Sequence, residues 1–248
     1  MVGKREREIG LRWVESRFRE NVAQYQGDIN PQDETSAQIA QFLKERNITT
    51  LLHFTDRKNL FKILTYGLLS RKILDELQWN YSFNDTVRAD WRTDCISLSI
   101  SKINEYLLKR FIANKTIAEY VIIEIDATML YRENNKRIYC QTNAATAHSN
   151  KGGNLENLKA MFDNEVSYCT SSEPRTFNRQ AQNKKDNETT DSQAEILWAD
   201  WVNPNYINGY YLNNQFYHNK NQHKTEQNMQ ESKKIETRKI IIISKNKQ

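Results

Sequence analysis

Residues 95–101 alternate apolar and serine side chains, a pattern typical of a β-strand with one buried face. Ile96, Leu98 and Ile100 fall on one side of the chain, and the serines between and after them fall on the other. Successive side chains of a strand point to opposite faces, so this strand must belong to a sheet with one covered face. Other strands are predicted at 49–55, 118–125 (the most apolar of the set), 193–197, within 198–212, and at 238–244.

Helical patterns lie between the strands. Asp56 can cap a helix over 57–66, and Gly67 can end it, because Asp is favoured at helix N-termini and Gly just past C-termini. This mixture of strands and helices predicts an α+β fold. Two more short helices are predicted, at 104–111 and 155–162.

Two helices are predicted ahead of the first strand, at 5–25 and 33–46. They are interpreted as an N-terminal helical extension, residues 1–48, attached to a single domain of residues 49–248. The chain has only seven Gly and three Pro, which argues against a flexible linker between two equal domains.

Four polar segments lack a regular period and are predicted to be loops or connections. Segment 72–93 carries Trp79, Phe83 and Trp91 and is interpreted as a long functional loop. Segment 171–192 is predicted to be mobile, and segment 213–236 is too rich in Asn, Gln and Lys to build a core. The segments are residues 72–93, 135–152, 171–192 and 213–236.

The composition limits the compartment and the chemistry. The three cysteines are odd in number and form no Cys-x-x-Cys pair, which favours free thiols over disulfides or a zinc site. The sequence has no apolar stretch of the ~20 residues that a membrane span needs, and its first residues do not resemble a secretory signal. We therefore expect a cytoplasmic protein without a metal. A net charge of +5 would weakly favour a polyanionic partner.

Two short stretches bring chemically useful side chains together. Leu52-His53-Phe54-Thr55 places an imidazole and a hydroxyl two positions apart, and Gln193-Ala194-Glu195 does the same for a carboxamide and a carboxylate. Residues i and i+2 of a strand share a face. Each pair is therefore predicted to point into one common site.

Each of these patterns also has a purely structural explanation. A single His in an apolar strand is more often a core residue than a ligand contact, and Gln-x-Glu is commonly a solvated sheet face. The aromatic residues of segment 72–93 could be a satellite core, and Lys102, Lys109 and Arg110 could simply cover a solvated helix. None of the motifs alone would assign a function.

In their order along the chain, five motifs resemble the DarT family of bacterial DNA ADP-ribosyltransferase toxins. The resemblance covers roughly residues 50–212. The matching stretches are Leu52-His53-Phe54-Thr55-Asp56-Arg57-Lys58-Asn59-Leu60, Ile63-Leu64 with Gly67-Leu68-Leu69-Ser70, Cys95-Ile96-Ser97-Leu98-Ser99-Ile100-Ser101, Asn143-Ala144-Ala145, and Ser192-Gln193-Ala194-Glu195-Ile196-Leu197.

The resemblance implies an ADP-ribosyltransferase-like split mixed β core with flanking helices, and it implies NAD as a co-substrate without a metal. It implies transfer of ADP-ribose to a base of single-stranded DNA, with guanine favoured over thymine by the serine-rich strand and the Asn-Ala-Ala turn. It also implies a monomeric toxin, active in phage defence and held in check by a cognate antitoxin that hydrolyses the modified base.

The resemblance also assigns site residues. It gives NAD contacts to His53, Thr55, Asn59 and Arg71. It makes Glu195 the catalytic glutamate, and Gln193 is placed to orient the nucleophile. The catalytic arginine of the family has no obvious counterpart here, so Lys102 or Arg110 is expected to take its place.

The chemistry fits a carboxylate at position 195. Breaking the nicotinamide–ribose bond develops positive charge on the ribose, as in glycoside hydrolysis, and a nearby carboxylate stabilises that charge. Alternatives remain open at this point: an enzyme of the same fold acting on RNA or protein, a non-enzymatic nucleic-acid-binding module, or an NAD glycohydrolase.

Overall fold

The structure, a computed structural model, describes residues 34–83, 89–133, 136–147, 149–169 and 173–219. An eight-stranded sheet dominates this part of the chain, and its strand pairs there are all antiparallel. The α+β class is confirmed, and the sheet is antiparallel where a mixed one was expected. In spatial order the strands are β12 (Gln215–His218), β11 (Ile207–Leu212), β4 (Tyr120–Asp126), β1 (Thr50–Asp56), β3 (Cys95–Ile100), β9 (Glu195–Ala199), β5 (Arg137–Cys140) and β6 (Lys151–Gly152).

The main sheet splits between its two central strands. β1 and β3 are in register only at Leu51–Ile100 and Leu52–Ser99. Beyond that point β1 continues to pair with β4 as far as Asp56, whereas the Cys95 end of β3 pairs with β9. A fork therefore opens between β1 and β3, as the split core predicted.

Two small sheets flank the large one. They pair β2 (Leu68–Leu69) with β10 (Trp201–Val202), and β7 (Glu165–Cys169) with β8 (Pro174–Asn178). Gly67, just before β2, has φ +84, and a Cβ there would lie 2.1 Å from the Val202 carbonyl oxygen. Glycine is therefore needed both for the left-handed conformation and for the close approach to β10.

Helices cover the sheet, and most of the predicted ones are present. Asp56 accepts a hydrogen bond from the Lys58 amide at 2.8 Å, so the predicted cap is confirmed, although the helix begins as a 3₁₀ turn at Arg57–Asn59. In the described part of the chain, no helix has the length and apolarity to cross a membrane. The α-helices are α1 (Glu34–Glu45), α2 (Leu60–Tyr66), α3 (Arg71–Glu76), α4 (Glu105–Ala113), α5 (Met129–Arg132) and α6 (Leu155–Ala160); a second 3₁₀ turn spans Pro204–Tyr206.

The first described helix belongs to the main core. The predicted helix at 33–46 is confirmed as α1, and its Ile39, Phe42 and Leu43 are buried in the same cluster as the central strands. The Phe42 ring meets the Phe162 ring edge-on, with centroids 5.5 Å apart. The predicted helix at 5–25 lies outside the described residues.

Part of the predicted functional loop at 72–93 is helical and part is core. α3 occupies its start, with the Ser70 side chain accepting from the Ile73 amide as its N-cap. The Trp79 ring is 8% exposed and packs on Tyr66 with centroids 4.9 Å apart. Trp79 is therefore packed in the interior against the end of α2, which the local sequence does not reveal, and it also lines the cavity described below.

The other polar segments also contain more structure than their composition predicts. β5 and β6 lie within 135–152, and β8 lies within 171–192. Thr190 and Asp191, in the segment predicted to be mobile, are fully buried. Hydrogen bonds from other parts of the chain make this burial possible, and a sequence window does not contain those partners. β12 extends into 213–236, and the strand predicted at 238–244 lies outside the described residues.

Candidate active site

A cavity occupies the fork between β1 and β3. Its walls include Leu52 to Thr55 of β1, alternate residues of β3 and the start of β9. Six of the eight predicted site residues line it, although they come from distant parts of the sequence. They are His53, Thr55, Asn59, Arg71, Gln193 and Glu195.

His53 bridges the fork. Its Nδ1 lies 2.9 Å from the Ser97 carbonyl oxygen. A carbonyl oxygen only accepts hydrogen bonds, so Nδ1 carries a proton, and whenever the ring is neutral Nε2 is its acceptor nitrogen. A ring held in this way can accept a hydrogen bond from a ribose hydroxyl.

Thr55 and Asn59 build one wall of the cavity. The Asn59 Nδ2 donates to Thr55 Oγ1 at 2.9 Å and to the Ser82 carbonyl at 2.6 Å, and Asn59 Oδ1 accepts from the Ser82 amide at 2.9 Å. The Asn59 carboxamide therefore holds the segment around Ser82 against β1. Asn59 lines the cavity, and its visible bonds shape the wall; its contact with NAD stays a prediction.

Two basic residues, Arg71 and Lys62, line the cavity. Arg71 is the first residue of α3, and its guanidinium carbon lies 4.5 Å from the centre of the Phe83 ring, a cation–π distance. Lys62 donates to the Asn80 carbonyl, and partial burial lowers the pKa of its ammonium group. Two cations beside a cleft suit a ligand with a diphosphate.

Glu195 begins β9, and a backbone amide orients its carboxylate. Glu195 Oε1 accepts from the Ala144 amide at 2.6 Å. Ala144 belongs to the Asn143-Ala144-Ala145 motif, and the Lys151 ammonium donates to the Ala144 carbonyl at 2.5 Å and to the Thr146 carbonyl at 2.7 Å. The sequence identified this turn as a motif, and in the structure the turn supports the Glu195 carboxylate through the Ala144 amide.

Gln193 lies in a turn before β9, so the prediction that Gln193 and Glu195 share a strand is wrong. The Asp191 side chain creates the turn: its Oδ1 accepts from the Gln193 amide at 2.9 Å, and the Asp191 carbonyl accepts from the Ala194 amide at 3.1 Å. Gln193 and Glu195 nevertheless line the same cavity. The Gln193 carboxamide is 3.5 Å from the Tyr168 hydroxyl.

The two residues proposed in place of the family's arginine lie elsewhere. Lys102 is exposed and pairs with Glu105 across 3.7 Å, and Arg110 is exposed in the last turn of α4. Neither is among the described residues that line the cavity. The described lining does include an arginine, Arg71, which the resemblance had assigned to NAD.

Residues that the sequence analysis missed stand directly behind the site. Thr142 and Asp191 are buried and joined by a hydrogen bond of 2.5 Å. Cys140 pairs with Glu195 across β5 and β9. Burial, reinforced by the Glu195 charge, raises the pKa of the Cys140 thiol to about 12, so this thiol is protonated at neutral pH and is not a nucleophile.

The site offers no cluster for a metal ion in the part of the chain that the structure describes. No group of three or more His, Cys, Asp or Glu side chains comes together there. The chemistry available to it is that of an oriented carboxylate, an imidazole, a carboxamide and two cations.

A split sheet that sets a strand histidine opposite a glutamate over a cation-lined cavity is the arrangement expected of an ADP-ribosyltransferase. The family model described as "ssDNA thymidine ADP-ribosyltransferase, DarT" matches residues 52–243, which is more than half of the chain. The chain belongs to the DarT family. A comparison with curated proteins found no match.

Solved structures to which the chain is similar include proteins from Thermosipho africanus and Thermus sp. 2.9. Thermosipho africanus DarTG in complex with ADP-ribose is 16% identical, with a TM-score of 0.45, over 66% of this chain and 44% of that one. The chain thus spans less than half the length of that protein. Thermus sp. 2.9 DarT in complex with NAD+ is 16% identical, with a TM-score of 0.44, over 66% of this chain and 81% of that one. The same Thermus protein in complex with ADP-ribosylated ssDNA is 14% identical, with a TM-score of 0.47, over 67% of this chain and 82% of that one.

Proposed function

We propose that this chain transfers ADP-ribose from NAD to a base of single-stranded DNA and releases nicotinamide. The observation that carries the proposal is the meeting of His53 and Glu195, from the two arms of the split sheet, at one cavity. Membership of the DarT family supports the reaction class and the acceptor. The Thermus relative's complexes with NAD+ and with ADP-ribosylated ssDNA name the same two ligands for that protein.

In the proposed reaction, His53 Nε2 accepts a hydrogen bond from a ribose hydroxyl, and Arg71 and Lys62 face the diphosphate. The bond between the ribose C1 and the nicotinamide nitrogen breaks, and its electron pair leaves with nicotinamide. The Glu195 carboxylate stabilises the resulting positive charge on the ribose. An electron pair of the base nitrogen forms the new bond to C1, and the proton lost from that nitrogen passes to Glu195.

A single strand suits this chemistry. A base nitrogen in a duplex is stacked and paired, so a free strand avoids the cost of extracting the base. We propose guanine as the acceptor, on the serine-rich strand β3 and the Asn143-Ala144-Ala145 turn, although the family description names thymidine. By the same resemblance the chain acts as a monomeric toxin with a cognate antitoxin.

The test is mass spectrometry of single-stranded oligonucleotides incubated with the protein and NAD. Matched oligonucleotides containing only guanine or only thymine as the variable base separate the two acceptors. We expect one ADP-ribosyl group per modified guanine, and a loss of roughly 10²–10⁴-fold in rate for Glu195→Gln, the range of a general base. Glu165→Gln, an exposed glutamate of β7, is the matched control.

Each other outcome has a clear meaning. Adducts on thymine alone would overturn the guanine assignment and keep the enzyme class. NAD consumed without an adduct on DNA would contradict the acceptor and point to RNA, protein or water. Full activity in Glu195→Gln would show that the active site lies elsewhere in the protein.

A further inference from the structure

A fully buried carboxylate lies four residues before the candidate catalytic glutamate. Asp191 is 0% exposed, and both of its oxygens accept hydrogen bonds. Oδ2 accepts from Thr142 Oγ1 at 2.5 Å, and Oδ1 accepts from the Gln193 amide at 2.9 Å. Burying a carboxylate is costly unless such bonds are made. These two bonds therefore hold the Asp191 carboxylate in one orientation.

Thr142 is almost as deeply buried and lies two residues before Ala144. The Ala144 amide donates to Glu195 Oε1 at 2.6 Å. The Thr142–Asp191 bond therefore ties the segment that holds the Glu195 carboxylate to the segment that carries Gln193 and Glu195. These two segments are 49 residues apart in sequence at this bond.

The Tyr168 hydroxyl lies beside the Gln193 side chain, within 3.5 Å of its carboxamide. Asp191 contacts Gln193 through the backbone amide of that residue. In the cavity itself, only Gln193 and Glu195 of this network line the wall.

We propose that Thr142 and Asp191 form a positioning pair, which holds the Glu195 carboxylate and the Gln193 carboxamide in the orientation that the transfer reaction requires. The inference rests on the proposed function. Neither residue touches the substrate. Their effect travels through the Ala144 amide and the Gln193 amide, and errors of about 1 Å in such an arrangement cost about 10²-fold in rate.

Burial agrees with this role. Desolvation raises the pKa of Asp191, and the hydrogen bond from Thr142 opposes that rise. An apolar pair of similar volume would commonly be as stable as a buried polar one. The polar pair is therefore better explained by the orientation that it imposes than by the stability that it supplies.

The test compares Thr142→Val and Thr142→Ala, which lack the hydroxyl, with Thr142→Ser, which keeps it. Nicotinamide release and adduct formation are measured at several NAD concentrations, together with the melting temperature. We expect kcat to fall about 10- to 100-fold in Val and Ala, the range found when groups that support the ligands of a metal site are removed. We expect KM for NAD to stay within about twofold, and Ser to restore kcat.

Thr189→Val is the matched control. Thr189 is also buried, and its hydroxyl donates to the Asp191 carbonyl at 2.8 Å, so the variant removes a buried hydrogen bond to the same residue without reaching Thr142 or Ala144. We expect it to lower the melting temperature and to leave kcat nearly unchanged.

Three results would overturn the pairing: wild-type kcat in both Val and Ala, an equal loss of kcat in Thr189→Val, or a failure of Ser to restore activity. A wrong acceptor would be recognised in the wild-type protein, which would release nicotinamide without modifying DNA, and the Thr142 variants would then be compared on nicotinamide release. A wild-type protein that releases no nicotinamide would overturn the proposed function and the pairing with it.

Discussion

At the scale of single residues, the site works through side chains whose backbone or side-chain partners set their protonation and direction. The Ser97 carbonyl fixes the proton of His53 on Nδ1, and the Ala144 amide directs one oxygen of Glu195. Both partners are backbone groups on neighbouring segments. The two side chains proposed for the site are thus oriented by the split of the sheet and by the turn after β5, and not by their own strands alone.

His53 provides the residue-scale prediction. His53→Phe keeps an aromatic ring at the fork but removes both nitrogens, so the hydrogen bond to Ser97 and the acceptor for the ribose are lost. Losing one such hydrogen bond costs about 1 kcal/mol or more. We expect KM for NAD to rise about tenfold, measured by initial rates of nicotinamide release.

His218→Phe is the control for that experiment, because His218 lies on the edge strand β12 and is exposed. It should leave KM for NAD unchanged. An unchanged KM in His53→Phe would remove His53 from the NAD site.

At the scale of elements, the segment between α3 and β3 divides into a buried part and an exposed part. Trp79 packs on Tyr66, whereas Trp91 is 85% exposed and has φ +57, an uncommon backbone conformation for a bulky residue. The turn beside Trp91 is held by the Arg92–Asp94 ion pair at 2.9 Å. A turn that presents an exposed indole suits a flat ligand such as a base.

Trp91→Ala tests this segment. Stacking of a base on an aromatic ring contributes roughly 1–3 kcal/mol, so we expect KM for single-stranded DNA to rise at least about fivefold. KM for NAD should not change, because Trp91 is not among the described residues of the cavity lining. Initial rates at varied oligonucleotide concentration provide the measurement.

Phe61→Ala serves as the comparison, since Phe61 is also exposed, at 77%, but lies on α2 outside the cavity lining. Equal changes in the two variants, or none in Trp91→Ala, would mean that the indole is not a stacking surface for the DNA.

At the scale of the whole molecule, α1 and the sheet share one core. Ile39 is fully buried in the cluster that contains Leu51, Ile123 and Trp198. Arg46, just after α1, lies over the Phe162 ring at 4.7 Å and donates to the Asp186 carbonyl at 3.1 Å. This packing crosses the boundary that the sequence analysis drew at residue 48.

Ile39→Ala measures how far α1 and the sheet fold as one unit. Removing a buried Ile side chain costs about 2–5 kcal/mol, so we expect the free energy of unfolding to fall by that amount in a single urea transition of the whole chain. Lys44→Ala, an exposed position on α1, should change it little. Loss of α1 alone, with the sheet's transition unmoved, would show that residues 49–248 fold independently.

The sequence by itself determined the elements whose causes are local. The alternation over 95–101 identified β3, and Asp56 and Gly67 marked the two ends of a helix because capping and left-handed backbone depend on single residues. Six of the eight residues predicted for the site, through the resemblance to one family, line a single cavity. These signals extend over a few neighbouring residues, so they can be read before the fold is known.

Only the tertiary structure decided the contacts between distant segments. The Ala144–Glu195 bond spans 51 residues and the Thr142–Asp191 bond spans 49, and neither leaves a periodic trace in the sequence. The turn that takes Gln193 off the strand depends on Asp191, whose burial depends in turn on Thr142. The exposed positions of Lys102 and Arg110 follow from where β3 and α4 dock. Such pairings depend on strand register and packing, which arise only when the whole sheet is assembled.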